Sequence, residues 1–311
     1  MRVVFLGTPE FAVPSLRALA RQFTVVGVVT QPDRPAGRGR LPRSPAVKRA
    51  AIDLGLPIQQ PGKIRSPEAV AALAAWSPDV IVVAAFGQIL PASVLAAAPH
   101  GCLNVHASLL PRWRGASPIQ AALLHGDPET GVTIMKMDEG VDTGPILAQR
   151  SLAIRPDSNA GTLTADLAEL GARLLLETLP PFTAGDLSLI PQDDRQATLA
   201  PRLRASDAAL DPSVSASVLV RRVHAFSPRP GARLQWGQET LRVLAARALP
   251  GASGTPGMIV LVHGEPVMAT GDGLLALDQV QLPGGKPVSG KAFLAGHRAF
   301  DRAVLTAAGR T

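Results

Sequence analysis

Apolar residues recur along this chain in short blocks, separated by glycine, proline and charge. RVVFLG (2–7) is a run of aliphatics closed by glycine, and TVVGVVTQ (24–31) and DVIVVAAF (79–86) repeat the pattern. Continuous apolar runs of this length read as strands buried on both faces. Between them the spacing turns helical, in PSLRALARQ (14–22), VKRAAIDLG (47–55) and PEAVAALAAW (67–76). The first has proline near its start and the second is stopped by glycine, both ordinary boundary signals. GCLNVHAS (101–108) is a fourth strand running into a loop. Strand alternating with helix predicts a parallel sheet covered on both faces, a doubly wound α/β domain of Rossmann-like type.

The pattern then changes twice. Ser117, Pro118 and Gln120 open a helix as N-cap, first helical residue and capping-box partner. VTIMKM (132–137) alternates like a strand, the loop DEGVDTGP (138–145) follows, and PILAQRSLAI pairs back. GTLTADLAELGARLLLETL (161–179) is a long amphipathic helix. Residues 183–211 are polar with little periodicity and read as connecting chain. After one helix, SASVLVRRVHAF, come short turn-punctuated strands: ARLQW, ETLRVLAARAL, GMIVLVHG, EPVMATGDG and LLALDQVQL. That spacing predicts a small β-barrel. The expected division is a catalytic domain over 1–187, a linker over 188–206 and a second domain over 207–311.

Composition narrows the function. A chain of 311 residues suits two domains, and 46% hydrophobic residues supply a core that, with no tyrosine, must be mostly aliphatic. The single cysteine, Cys102, excludes a disulfide framework and a cysteine-rich zinc site, and fits a reducing cytoplasm. Six scattered histidines show no ligand spacing, so no metal is expected. The opening MRVVFLGTPEF reads as a first strand rather than a signal peptide, and the longest apolar run, VIVVAAF, is too short to span a membrane. Net charge is +7, divided as +2 over residues 1–190 (17 basic, 15 acidic) and +5 over 191–311 (14 basic, 9 acidic). Arg34, Arg38, Arg40, Arg43, Lys48 and Arg49 lie between Asp33 and Asp53 with no acid among them. Such clustering favours an acidic partner, nucleic acid above all.

The chemistry concentrates at 101–120, GCLNVHASLLPRWRGASPIQ. Side chains alternate along a strand, so Cys102, Asn104 and His106 share a face. Asn104 and His106 stand at a strand's carboxyl end, where open α/β sheets bind ligands. A polar pair satisfied by backbone is the ordinary alternative, but the apolar loop that follows favours a site. Cys102 with His106 as base is a weaker reading, because cysteine is commonly a small buried hydrophobe and no charge adjoins it. There is no G-x-S-x-G nucleophile elbow. GTPEFA (7–12) has one glycine, not the G-x-G-x-x-G of a dinucleotide site. The acidic candidates near this site, Asp138, Glu139 and Asp142, are not separated by the residues alone.

FLGTPEFAVPSL, TQPDRPAGRGR, FGQILP and NVHASLLPRWRGASPIQAALLHGDPETGVTIMKMDEGVDTGPI together resemble the methionyl-tRNA formyltransferases, over essentially the whole chain. Asn-x-His, Ser-Leu-Leu-Pro and the later Asp are shared with the wider folate-dependent formyltransferase superfamily. The resemblance implies an N-terminal domain that binds 10-formyltetrahydrofolate and a C-terminal domain of OB type. It implies catalytic roles for Asn104, His106 and Asp142. It implies folate binding by Ser108, Leu109, Leu110 and Pro111, and by the loop Phe86, Gly87, Gln88, Ile89 and Leu90. The family usually has tyrosine where this chain has Phe86. The basic loop 31–44 is expected to enter the acceptor stem of initiator methionyl-tRNA, with Arg34, Arg38, Arg40 and Arg43 on the RNA. Arg202, Arg221, Arg222 and Arg229 are expected to add contacts from the linker and barrel. Here Leu199, Arg202, Pro212 and Arg229 replace residues that are often Tyr, Lys, Trp and Trp in the family. The expected protein is a cytoplasmic monomer whose partners are initiator tRNA and folate, with no membrane.

Overall fold

Aliphatic runs without charge must turn both faces inward, and in the computed structural model of the protein they form the middle of a seven-stranded sheet. The structure describes residues 1–36, 41–251 and 254–309. They fall into two units: Met1–Pro118, Glu129–Ala153 and Thr164–Ala200 form the first, and Ile119–Pro128, Ile154–Leu163 and Pro201–Thr311 the second.

In the first unit the sheet contains β1 (Arg2–Gly7), β2 (Thr24–Val29), β3 (Ile58–Gln59), β4 (Val80–Ala84), β5 (Cys102–His106), β6 (Glu129–Lys136) and β7 (Ile146–Ala153). Their spatial order is β3-β2-β1-β4-β5-β6-β7. The first five run parallel, as expected of a doubly wound sheet. The last two are antiparallel additions. The connection over residues 137–145 is too short for a crossover, which takes about a dozen residues or more, so β7 must return beside β6. That same connection carries Asp142.

The strand alternation read from the sequence holds on β5. Cys102 packs into a cluster with Val4, Leu6, Ile81 and Val83 on one face. Val105 faces the other way, toward Gly171 of the long helix Ala160–Ala184. A Cβ on Gly171 would lie 2.8 Å from Val105 Cγ1 and 3.4 Å from Val132 Cγ1. The helix therefore presses against the back of the strand whose other face holds Asn104 and His106.

Near the basic cluster, Arg34–Ala36 and Leu41–Arg43 pair as antiparallel strands. Arg38 and Arg40 lie outside the described residues. The segment expected as a linker contributes to the first unit up to Ala200, where Leu199–Ala200 pairs with Arg114–Gly115.

The second unit carries the short strands expected of the C-terminal third: β8 (Ala232–Trp236), β9 (Glu239–Leu249), β10 (Ile259–Val262), β11 (Glu265–Ala269), β12 (Leu274–Gln281), β13 (Val288–Ser289) and β14 (Thr306–Ala307). They form one antiparallel sheet in the order β10-β11-β12-β9-β8-β14, with β13 on β12. The ladder is open, but an isolated Met258–Val304 bridge joins its two ends. Trp236 packs edge-on against Phe293, His297 and Phe300. No helix among the described residues is long and apolar enough to cross a membrane.

Gly171→Val should destabilise the protein by about 1–3 kcal/mol through overpacking against Val105 and Val132. Urea unfolding checks this, and an unchanged midpoint would show that the helix does not press on β5.

Candidate active site

Strand β5 delivers two polar side chains into a mostly apolar interior: Asn104 is 9% exposed and His106 6%. Burying such groups without partners is costly, so each must find one. Asp142 serves both. Asn104 Nδ2 donates to Asp142 Oδ1 at 3.2 Å, and His106 Nδ1 lies 3.5 Å from the same oxygen. The other oxygen, Oδ2, accepts from the Gly115 backbone N–H at 2.9 Å. The structure therefore separates the three acids left open by the sequence. Asp142 meets the strand, whereas Asp138 caps its own loop through Gly140 N–H and the Thr143 hydroxyl.

His106 Nε2 lies 3.0 Å from the Trp113 carbonyl, which can only accept, so Nε2 carries a hydrogen. Nδ1 is left facing the Asp142 carboxylate. Protonated at Nδ1, the ring forms an ion pair there; neutral, it presents a lone pair beside the carboxylate.

The loop after β5 is fixed by hydrogen bonds that the sequence did not advertise. Thr133 Oγ1 donates to the Ser108 carbonyl at 2.6 Å and accepts from Leu110 N–H at 3.1 Å. Gln149 Nε2 donates to the Leu110 carbonyl at 2.7 Å. Ser108 Oγ donates to the Arg112 carbonyl at 2.6 Å, and the Leu110–Pro111 peptide is cis. Leu110 packs with Met135 and Ile146, while Leu109 is half-buried over Gly131. Thr133 is the one polar residue within the run Val132–Met135, which is the only local mark of its role.

The second loop, 86–90, is split in its roles. Phe86 and Leu90 are buried in the core, and Ile89 is 81% exposed. Gln88 spends its amide on the backbone, accepting from Ile64 N–H and donating to the Pro61 carbonyl. The Phe86 carbonyl accepts from the Thr8 hydroxyl, which ties this loop to the end of β1. Within the loop, Ile89, the positive-φ Gly87 and the backbone are the parts that can face a ligand.

Residues 192–200 were expected only as connection, yet they brace the loop after β5 and the loop that carries Asp142. Gln192 Nε2 donates to the carbonyls of Asp142 and Gly144 at 2.9 and 2.7 Å. Arg114, 7% exposed, donates to Gln192 Oε1 and to Asp194. Thr198 accepts from Trp113 N–H through its hydroxyl and from Arg114 N–H through its carbonyl. Nothing in PQDDRQATL marks these roles in sequence.

Cys102 is removed as a nucleophile. It is 1% exposed, with Sγ against the Val94 carbonyl, and burial pushes its thiol up to about 12. Among the described residues no cluster could hold a metal ion.

The basic candidates differ in environment. Arg34 and Arg43 are both exposed and are direct cross-strand partners. Arg202 and Arg229 are exposed. Arg221 and Arg222 are half-buried: Arg222 donates to the Asp207 carbonyl, and Arg221 Cδ would meet a Cβ on Gly126. Those two are partly committed to packing within the second unit.

Comparison with known proteins adds a further observation. The formyl transferase family profile matches residues 1–179, and the formyl transferase C-terminal domain profile matches 202–298. A methionyl-tRNA formyltransferase of Chloroflexus aggregans is 48% identical over 300 residues, covering 95% of this chain and 97% of its own. Another, from a Synechococcus strain, is 50% identical over 301 residues, covering 93% of each chain. The solved N-formyltransferase from Helicobacter canadensis, in complex with folinic acid and dTDP-3-aminofucose, aligns with a TM-score of 0.68 at 15% identity, over 90% of this chain and 99% of its own. HypX from Aquifex aeolicus, in complex with tetrahydrofolic acid, aligns with a TM-score of 0.65 at 19% identity, over 94% of this chain and 47% of its own. At those identities the two solved structures speak to fold.

The Cys102 environment has a measurable consequence. The unfolded chain ionises its thiol near the ordinary value of 9.0 while the folded one holds its proton to about 12. Stability from this burial is full below pH 9.0 and is lost as pH rises through that interval. At about pH 8 the native protein should resist iodoacetamide and the urea-unfolded chain should react. Rapid labelling of the native protein would contradict the buried assignment.

Proposed function

The chain belongs to the formyl transferase family, and we propose that Asn104, His106 and Asp142 carry its chemistry. The reaction moves the formyl group of 10-formyltetrahydrofolate to the amino group of methionyl-tRNA. Near full-length similarity to methionyl-tRNA formyltransferases supports the acceptor and the group transferred. The initiator tRNA is the acceptor we infer, with the reaction in the cytoplasm.

The observation that carries the catalytic reading is the convergence of Asn104 Nδ2 and His106 Nδ1 on one carboxylate oxygen at a strand end. The methionyl amine, as free base, attacks the formyl carbon, and a C–N bond forms as the carbonyl becomes an oxyanion. Asn104 has a second amide hydrogen beyond the one given to Asp142, and it donates to that oxygen. Such a preorganised donor contributes about 3–4 kcal/mol to the barrier difference. His106, protonated at Nδ1, adds positive charge beside the same oxygen. Asp142 holds the imidazolium and takes up the proton leaving the amine, directly or through water. Collapse then breaks the bond to N10 of the folate, and N10 receives a proton.

Folate is held by Ser108, Leu109, Leu110 and Pro111 and by the 86–90 loop. The rigid backbone there suits a flat ring read at its edge, with Leu109, Pro111 and Ile89 as apolar contacts. Arg34, Arg38, Arg40 and Arg43 meet the RNA. Arg34 and Arg43 support this reading, since like charges directly opposite on a ladder destabilise it unless an anion lies between them. Arg202 and Arg229, exposed, extend the basic surface; Arg221 and Arg222 contribute less direct contacts. In this reading 1–187 is the catalytic domain, 188–206 the linker and 207–311 the tRNA-binding domain.

Formyl transfer to initiator methionyl-tRNA, with elongator methionyl-tRNA and small amines in parallel, tests the acceptor; preference for a small amine would discard it. His106→Ala should lower turnover about a hundredfold or more with folding intact. Arg38→Ala should weaken tRNA use while folate binding is unchanged, and a parallel loss of both would make that loop structural.

A further inference from the structure

Asp142 sits at a φ of +55°, a left-handed backbone that an L-residue other than glycine seldom adopts. Aspartate enters this region more readily than most side chains, and its neighbours decide whether it stays there. Its side chain meets Asn104, His106 and Gly115, but those contacts do not fix the main chain. The main chain is fixed from elsewhere. Gln192 Nε2 donates to the carbonyls of Asp142 and Gly144, on either side of Thr143.

The orientation of that amide is itself determined. Gln192 Oε1 lies 3.0 Å from Arg114 Nε, and arginine can only donate. The oxygen must therefore point to Arg114 and the NH2 group to the two carbonyls. Arg114 is in turn held by Asp194 at 2.8 Å. Its own backbone N–H is bound by the Thr198 carbonyl, and the next residue, Gly115, supplies the N–H on Asp142 Oδ2. Gly115 has a φ of +118°, and a Cβ there would lie 2.7 Å from the Ala200 carbonyl oxygen. One strap, residues 192–200, thus sets both the backbone and the carboxylate of Asp142.

We propose that Gln192, oriented by Arg114 and anchored through Asp194, is a positioning residue for formyl transfer that acts through Asp142. The proposal rests on the catalytic reading of Asp142. A loop released by loss of Gln192 moves the carboxylate away from Asn104 and His106, and displacements of about 1 Å cost about a hundredfold in rate. Substrate contacts are untouched, so binding should be spared.

The experiment is a mutant cycle on the full chain, read as kcat and KM for both substrates. Gln192→Ala should lower kcat about 10–100-fold, with KM for 10-formyltetrahydrofolate and methionyl-tRNA within about twofold. Added to Asp142→Asn, the same substitution should cost less than about threefold, because the group it positions is already gone. Arg114→Lys keeps the charge for Asp194 but loses the Nε donor, and should fall between wild type and Gln192→Ala. Asp194 is itself 84% exposed, so Asp194→Ala opens no cavity, and with Gln192 still on Arg114 it serves if Gln192→Ala misfolds. It should lower kcat about 3–10-fold, again only when Asp142 is present. Equal losses with and without Asp142, a loss confined to KM, or no loss would each overturn the proposal. Normal turnover of Asp142→Asn alone would instead overturn the catalytic reading beneath it.

Discussion

A single carboxylate holds this site together. Asp142 offers one oxygen to Asn104 and His106 from β5 and the other to the backbone of Gly115. Asn104 and His106 are buried, and buried donors of this kind need acceptors. The converse also holds. A carboxylate that is 14% exposed needs donors around it, and an amide, an imidazole and an N–H supply them. Asp142 therefore ties Asn104, His106 and Gly115 together, while His106 also reaches the Trp113 carbonyl through Nε2. Its geometry follows from the sheet: alternation puts Asn104 and His106 on one face, and the short β6–β7 connection forces the chain back over that face.

The parallel core was legible because its physics is local. Aliphatic runs, proline near helix starts and glycine at stops act within a few residues, and β1, β2, β4 and β5 emerge where those signals lie. Asn104 and His106 were legible for the same reason, as polar residues at a strand end on one face. Asp142 was not separable from Asp138 and Glu139 by residue type, since all three occur in one turn-rich loop. The hydrogen bonds of Asp138 to Gly140 and Thr143 are what distinguish it. Gln192, Asp194 and Thr198 were illegible because their partners lie some 50 to 85 residues away in sequence. A polar stretch without periodicity looks the same whether it is solvated or laid across a site. The antiparallel sense of β6 and β7 was implicit in a loop length that a crossover could not use.

Charge shows how location matters more than sum. The chain carries 31 basic residues, but many are already matched. Arg247 bridges Glu265 and Asp278, Arg150 meets Glu177, Arg195 meets Asp193, Arg49 meets Glu10 and Lys48 meets Asp33. Exposed pairs of this kind contribute little to stability, but they remove charge from what a polyanion can use. Among the described residues Arg43, Arg202 and Arg229 have no ion-pair partner, and the Arg34 guanidinium donates to the neutral Gln31.

Arg34 and Arg43 carry the argument further, because they face each other across a two-stranded ladder while Asp33 is already engaged by Lys48, Ser44 and Gln60. Those same bonds hold Asp33 below the usual carboxylate range, led by Gln60 and then Lys48, so it stays ionised and stays with them. The acid adjacent to Arg34 in sequence is thus unavailable to screen the arginine pair. A protein selected only for stability would place an acid at one of the two positions. In the proposed reading a phosphate of the tRNA completes the pair, and competition from salt for that place weakens binding.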